Sequence, residues 1–233
     1  ELPSLTMSTH AQAASPASGG AADFVLVIHG GAGVMAADEF TPEREKAARA
    51  TMEAALLAGH GVLAHGGASV DAVIAAIRIL EDSPLFNAGK GSVLTLEGTV
   101  EMDAAVMEGA QHRAGAVAGV KQVKNPIELA RLVMDKTPHV MLAGEGAEAL
   151  AKQHNLPLLP QDYFITELRR LQWERVRKQQ PAQKATGHKA EANPAEKIGT
   201  VGAVALDKHG NLAAGTSTDG PSGRSAESAM TSG

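Results

Sequence analysis

Apolar positions along the chain follow two periods, and each marks a different kind of element. "FVLVI" (24–28) is a short unbroken apolar run ending at a glycine turn, the pattern of a strand buried on both faces. Val70, Val73, Ile74, Ile77 and Leu80 instead keep helical spacing, which predicts a helix with one buried stripe, capped by Ser69 and stopped by Pro84. Thr41-Pro42-Glu43 supplies a cap, a first-turn proline and an acidic residue suited to the helix dipole, so an earlier helix runs from there to about Gly59. "SVLTLEGTVEMDAAVM" (92–107) reads as a hairpin turning at Glu97-Gly98, and "GAVAGV" (115–120) as a further strand. Asn125-Pro126 caps a helix through about Lys136, another follows Gly144, and "ITELRRLQWERVRK" makes a polar third. Late in the chain, "EKIGTVGAVALDKHGNLAAGTST" (196–218) folds on itself about His209, setting Asp207 opposite Asn211 and Thr200 opposite Thr218. Two early helices, a run of strands and then helices predict a layered α+β protein with sheet and helices segregated.

Composition narrows the partners. With 233 residues, 44% of them hydrophobic, the chain is long enough for a sizeable core in one domain or at most two. A net charge of -5 with no Lys/Arg stripe argues against nucleic acid, and no window approaches the ~18 apolar residues of a membrane span. Small molecules or a second copy of the chain remain as partners. The absence of cysteine excludes disulfides, thiolate metal ligands and cysteine nucleophiles. Residues 1–23 are rich in Ala, Ser and Gly; "AQAA" resembles the end of a secretory signal, yet no apolar region precedes it, so they read as a disordered leader with Met7 as an alternative start. That points to the cytoplasm, with the periplasm as the alternative. "KQQPAQKATGHKAEANPAEK" holds no aromatic residue and no Ile, Leu or Val, so residues 178–199 are expected to form a mobile linker. It ends at the apolar strand beginning at Thr200, an arrangement that makes sense if the linker is cut.

"HGGAG" (29–33), "LEDSPLFNAGKGSV" (80–93), "MDAAVMEG", "AGAVAGV", "NPIELARLVM", "PHVMLAGEGAE" and "GTVGAVALDKHGNLAAGTST" together closely resemble the isoaspartyl peptidase/plant-type L-asparaginase family of N-terminal nucleophile hydrolases. The resemblance runs from about Phe24 to Thr218 in the family's own order. It implies a four-layer αββα sandwich, incomplete here in its second half. It also implies a precursor that cleaves itself between Gly199 and Thr200, leaving α and β chains assembled as a dimer of αβ units. Residues 24–177 then correspond to the α part and 200–218 to the start of the β part. The substrates implied are β-aspartyl (isoaspartyl) dipeptides and L-asparagine, with no cofactor for catalysis. By the same resemblance, Asn87 stands near the scissile bond, where an amide can stabilise an oxyanion or place a water, with a turn asparagine as the equal alternative. Leu80, Glu81, Ser83, Phe86, Ala88 and Lys90 match the family's sodium-binding loop, which uses backbone carbonyls, and hard cations take oxygen ligands.

The chemistry suits the residues apart from the name. A threonine hydroxyl is a poor nucleophile until a base takes its proton, and an N-terminal threonine carries such a base in its own α-amine, of pKa roughly 7.7 to 8.0. Cleavage before Thr200 would create nucleophile and base together. Thr218, opposite it, is placed to hydrogen-bond and tune the nucleophile.

Other chemistries fare worse. His29 in HGGAG could serve an oxyanion loop, but the α/β-hydrolase reading needs a G-x-S-x-G elbow that the sequence lacks. No phosphate-binding spacing exists in "NAGKGS". His60 and His65 read as turn histidines rather than zinc ligands, and Glu101 and Asp103 as a solvated strand edge. After Thr218 the family pattern of Gly-Gly, Gly-Arg-Val-Gly-Asp and Thr-Gly-Thr-Gly gives way to "DGPSGRSAESAMTSG", in which only Gly220 fits, as a substrate-binding position. Residues 219–233 therefore read as an aberrant tail. The competing expectation is a catalytically incompetent truncated or frameshifted product of such a gene; a glycosylasparaginase is a third.

Overall fold

The computed structural model describes residues 23–31, 41–186 and 199–219. In chain order these form β1 (Val25–His29), α1 (Pro42–Ala64), α2 (Ser69–Glu81), β2 (Met102–Glu108), β3 (Arg113–Val120), α3 (Pro126–Lys136), β4 (Met141–Ala143), α4 (Gly144–Gln153), a single 3-10 turn (Gln161–Tyr163), α5 (Glu167–Thr186), β5 (Val201–Leu206) and β6 (Leu212–Asp219). The expected leader up to residue 22, residues 187–198 of the expected linker, and residues 220–233, including Gly220, lie outside the described residues.

The strands make one sheet in the order β1-β5-β6-β2-β3-β4, antiparallel except for the β3–β4 pair. The late hairpin is thus inserted between β1 and β2. Its turn is organised by Asp207, whose N–H donates to the Asn211 carbonyl at 3.0 Å and whose Oδ1 accepts the N–H groups of His209 (2.9 Å) and Asn211 (3.0 Å). Helices α1 to α4 cover one face. On β6, Ala213, Gly215, Ser217 and Asp219 point into that layer, where the space beside Gly215 is taken by Val73 and Ile77 of α2. Val25, Val27, Met107, Met141, Val204 and Leu212 lie exposed on the other face. The expected α+β class is borne out as one helical layer on one sheet; a second sheet with its own helices is not seen among the described residues. No helix among them is long and apolar enough to cross a membrane.

Several elements differ from expectation for identifiable reasons. Helix α1 opens as predicted, with Thr41 Oγ1 accepting the Arg44 N–H at 3.2 Å, but runs past Gly59. Gly59 is a packing residue: a Cβ there would stand 2.6 Å from the Leu26 side chain and 2.9 Å from the Ala72 carbonyl. Ser69 and Asn125 do not cap their helices with their side chains. Asp207 Oδ2 takes the Ser69 N–H (3.1 Å) and Glu81 Oε1 takes the Ile127 N–H (3.0 Å), so distant carboxyls satisfy the orphan donors. The hairpin expected over 92–107 keeps its turn, where Thr95 N–H donates to the Thr99 carbonyl at 2.8 Å, but not its first strand. Its arms are bound by side chains instead: Val100 N–H donates to Gln161 Oε1 (2.7 Å) and Trp173 Nε1 to the Leu96 carbonyl (3.2 Å). Helix α5 continues to Thr186, over the first part of the expected linker, consistent with the good helix propensity of its Lys, Gln and Ala residues.

Candidate active site

The β5–β6 register pairs Val201 with Ser217, which brings Thr200, one residue earlier, level with Thr218; Thr218 in turn pairs with Asp103 on β2. Val201 and Ser217 point into the helical layer, so strand alternation turns Thr200, Thr218 and Asp103 toward the open face in one row. The Thr218 hydroxyl donates to the Asp219 carbonyl at 3.3 Å. Asp103 lies on an interior strand rather than at a solvated edge: its Oδ1 accepts the Gly119 N–H (2.8 Å), while Glu101 bonds Lys121 (3.1 Å).

Strand β1 delivers residues 29–31, the described part of HGGAG, to this row, because its ladder with β5 sets His29 opposite Gly202. The imidazole fills the space a side chain at Gly202 would need. Gly31 adopts φ 137°, a conformation that favours glycine, and a Cβ there would stand 2.9 Å from the Gly199 carbonyl oxygen. The backbone of residue 31 thus passes directly beside the Gly199–Thr200 peptide. The mostly antiparallel sheet removes the α/β-hydrolase reading of His29, since that fold carries its nucleophile elbow on a mainly parallel sheet.

Asn87 is buried and ties the 82–93 loop to the end of β6. Its Oδ1 accepts the Val93 N–H (3.0 Å) and its Nδ2 donates to Asp219 Oδ1 (2.6 Å). Asp219 takes the position after Thr218, and burial pushes its carboxyl up to about 8 against the opposing Arg169 charge and the Asn87 hydrogen bond. Arg169, itself buried, donates Nε to the Gly91 carbonyl at 2.6 Å. Behind β6 lies Glu81, wholly buried, accepting at Oε1 from Ser217 Oγ (2.6 Å) and Ile127 N–H (3.0 Å). Burial lifts this carboxyl to about 8 in spite of those hydrogen bonds. Glu81 Oε2 and Asp219 Oδ2 are buried with no partner.

From the sequence, Glu81 enters only through its backbone carbonyl; its side chain, with Ser217, Asp219 and Arg169, joins the site only in the fold. One signal was present: Glu81 follows Ile77 by four residues, so a carboxyl falls on the apolar stripe of α2.

The loop matching a sodium site curls on itself. The Glu81 carbonyl accepts the Lys90 N–H (2.7 Å), the Leu80 carbonyl accepts the Ser83 N–H (3.2 Å), and the Pro84 and Phe86 carbonyls converge over Gly91, within 2.9 Å of where a Cβ would lie. His60 and His65 do not converge: His60 lies within α1 and meets Phe24 edge-on (5.2 Å), whereas His65 Nδ1 contacts the Gly61 carbonyl (2.7 Å). Among the described residues no group of three or more His, Cys, Asp or Glu could hold a metal ion.

Comparison with known proteins matches the sequence to a family. The chain is 42% identical over 200 residues to an isoaspartyl peptidase/L-asparaginase of Danio rerio and 45% identical over 196 residues to that of Bos taurus, each alignment covering 84% of this chain. It is 44% identical over 197 residues to an isoaspartyl peptidase of Salmonella typhimurium, again over 84% of the chain. The chain spans 59, 60 and 62% of the lengths of these three relatives. The sequence profile described as asparaginase matches residues 22–233, and the chain belongs to the asparaginase family.

Proposed function

We propose that this chain hydrolyses β-aspartyl (isoaspartyl) dipeptides and L-asparagine, with Thr200 as nucleophile after cleavage of the Gly199–Thr200 peptide. The observation that carries the reading is the placement of Thr200 level with Thr218, its upstream carbonyl against Gly31. In the maturation step Thr200 Oγ1 attacks the Gly199 carbonyl carbon, the C–N bond breaks as the amide nitrogen takes a proton, and water hydrolyses the resulting ester. The products are a Gly199 carboxylate and a free α-amine on Thr200. That amine then takes the Oγ1 proton as the hydroxyl attacks the side-chain amide or β-peptide carbonyl of the substrate. Ammonia or an amino acid departs, and water releases aspartate. Thr218 tunes the nucleophile, and Asn87 stabilises the oxyanion or places the water. Relatives named isoaspartyl peptidase/L-asparaginase support the substrate class.

The same reading includes α and β chains assembled as a dimer of αβ units, a structural sodium on the carbonyls of Leu80, Glu81, Ser83, Phe86, Ala88 and Lys90, substrate contact at Gly220, and a cytoplasmic location. The deciding experiment is the intact mass of the chain after incubation at neutral pH. A fragment beginning at Thr200, with release of leucine from β-Asp-Leu by the cleaved protein, is the expected result. A chain that stays whole overturns the reading. Gly31→Ala is expected to slow cleavage by about tenfold or more, because the added methyl must displace the Gly199 carbonyl from a backbone that already favours glycine. Cleavage at the wild-type rate would show that this contact does not shape the scissile peptide.

A further inference from the structure

Thr218 is anchored from behind on both sides. Ser217, the residue before it, donates its hydroxyl to Glu81 Oε1 at 2.6 Å, and Asp219, the residue after it, accepts from Asn87 Nδ2, also at 2.6 Å. The same oxygen of Glu81 takes the Ile127 N–H, so one carboxyl oxygen joins the end of α2, the first turn of α3 and the inner face of β6. These bonds sit in an otherwise apolar layer that includes Val73, Ile77 and Leu80, where a polar group is costly unless it is paired.

Strand β6 is laddered without a break to β5 and to β2, and these ladders fix which residues face one another. The β2–β3 register shifts between Met102 and Ala104, with the extra residue on β3 opposite Asp103, the ladder partner of Thr218. A bulge on β3 raises the local twist of the sheet beside Asp103. Side chains on a strand alternate, so a rotation at Ser217 turns Thr218 the opposite way on the open face.

We propose that Glu81 is a positioning residue for Thr218, fixing through Ser217 the rotation of β6 so that the Thr218 hydroxyl is held toward Thr200 within the register that the ladders set. The consequence for cleavage rests on the reading of Thr200 and Thr218 as the reacting pair; the geometric part stands apart from it. Glu81 touches neither the scissile peptide nor the substrate, so its effect passes through the strand.

The test compares Ser217→Ala, Glu81→Leu and Glu81→Gln in the full chain, with two readouts. The first is the rate of Gly199–Thr200 cleavage per folded molecule, and the second is amide hydrogen exchange over residues 212–219 measured on Thr200→Ala backgrounds so that no cleavage intervenes. Losing the acceptor or the donor is expected to slow cleavage by about tenfold, the effect of one buried hydrogen bond, and to raise exchange at 216–219. Glu81→Gln keeps an oxygen that accepts both bonds and is expected to restore most of both. Ser217→Ala combined with Glu81→Leu is expected to be no slower than either alone. If Ser217→Ala and Glu81→Leu lose melting temperature while cleavage and exchange stay at wild-type values, the pair is merely structural and the proposal is wrong. Where the wild-type chain itself stays uncleaved, the reading of Thr200 fails, and exchange alone decides for or against the anchor. Should Glu81→Leu not fold, Ser217→Ala, which removes a single oxygen, carries the test.

Discussion

Thr200→Ala is expected to leave the Gly199–Thr200 peptide intact indefinitely and to hold β-Asp-Leu hydrolysis at background, a loss on the order of 10⁴-fold or more as for other nucleophile deletions. The substitution removes the only atom proposed to form a bond with the carbonyl carbon. The fold should be indifferent to it. Residue 200 is half-buried and lies just before the first ladder pair of β5, so its removal falls among changes worth about 0.5 kcal/mol or less. Thr200→Ser keeps Oγ and is expected to cleave, more slowly because the methyl that restricts χ1 is gone. Mass spectrometry against time at pH 7.5 reads cleavage in the wild-type chain and in both variants. Full activity in Thr200→Ala would transfer the chemistry to another group and leave the hairpin register without a catalytic meaning.

Stability is expected to fall as pH rises from about 4 toward 8. Glu81 and Asp219 are lifted by burial to about 8 in the folded chain, from ordinary values of 4.5 and 3.8. Between those values and 8 the folded state holds protons that the unfolded chain has released, so proton binding favours folding, and that contribution disappears as pH passes through the folded values. Each group can contribute up to about 1.4 kcal/mol per pH unit inside the window and nothing further above it. Urea midpoints at pH 5, 6, 7 and 8 should therefore decline. Glu81→Gln and Asp219→Asn should each flatten the slope. A slope unchanged in both variants would mean that the two carboxyls are ionised in the folded chain.

Much of this organisation can be read from the residues because it is local. The stripe of Val70, Val73, Ile77 and Leu80 specifies α2 without reference to the rest of the molecule, and the turn at Asp207 to Asn211 fixes a hairpin whose register alone brings Thr200 level with Thr218. What escaped is what depends on a distant partner. Met141–Ala143 is a strand only because β3 lies beside it, and three residues carry no period of their own. Residues 92–100 look like a strand arm until Gln161 and Trp173, more than sixty positions on, take their backbone groups. Glu81 is the sharpest case. Its distance along the chain from Ser217 is 136 residues, and a single carboxyl on an apolar stripe says that something will meet it without saying what.

The place of the β5–β6 hairpin in the sheet carries a last consequence. Because β5 is laddered to β1 and β6 to β2, a break before Thr200 frees a chain end but not a piece of the molecule. The two fragments would behave as a complementation pair, leaving one another only if both flanking ladders tear at once. Kinetics then become asymmetric: the uncut chain refolds as a first-order process, while the cut one must find its partner and refolds at a rate that depends on concentration. Maturation would thus convert a reversible folder into an assembly maintained by slow unfolding, persistent once made and hard to rebuild once lost.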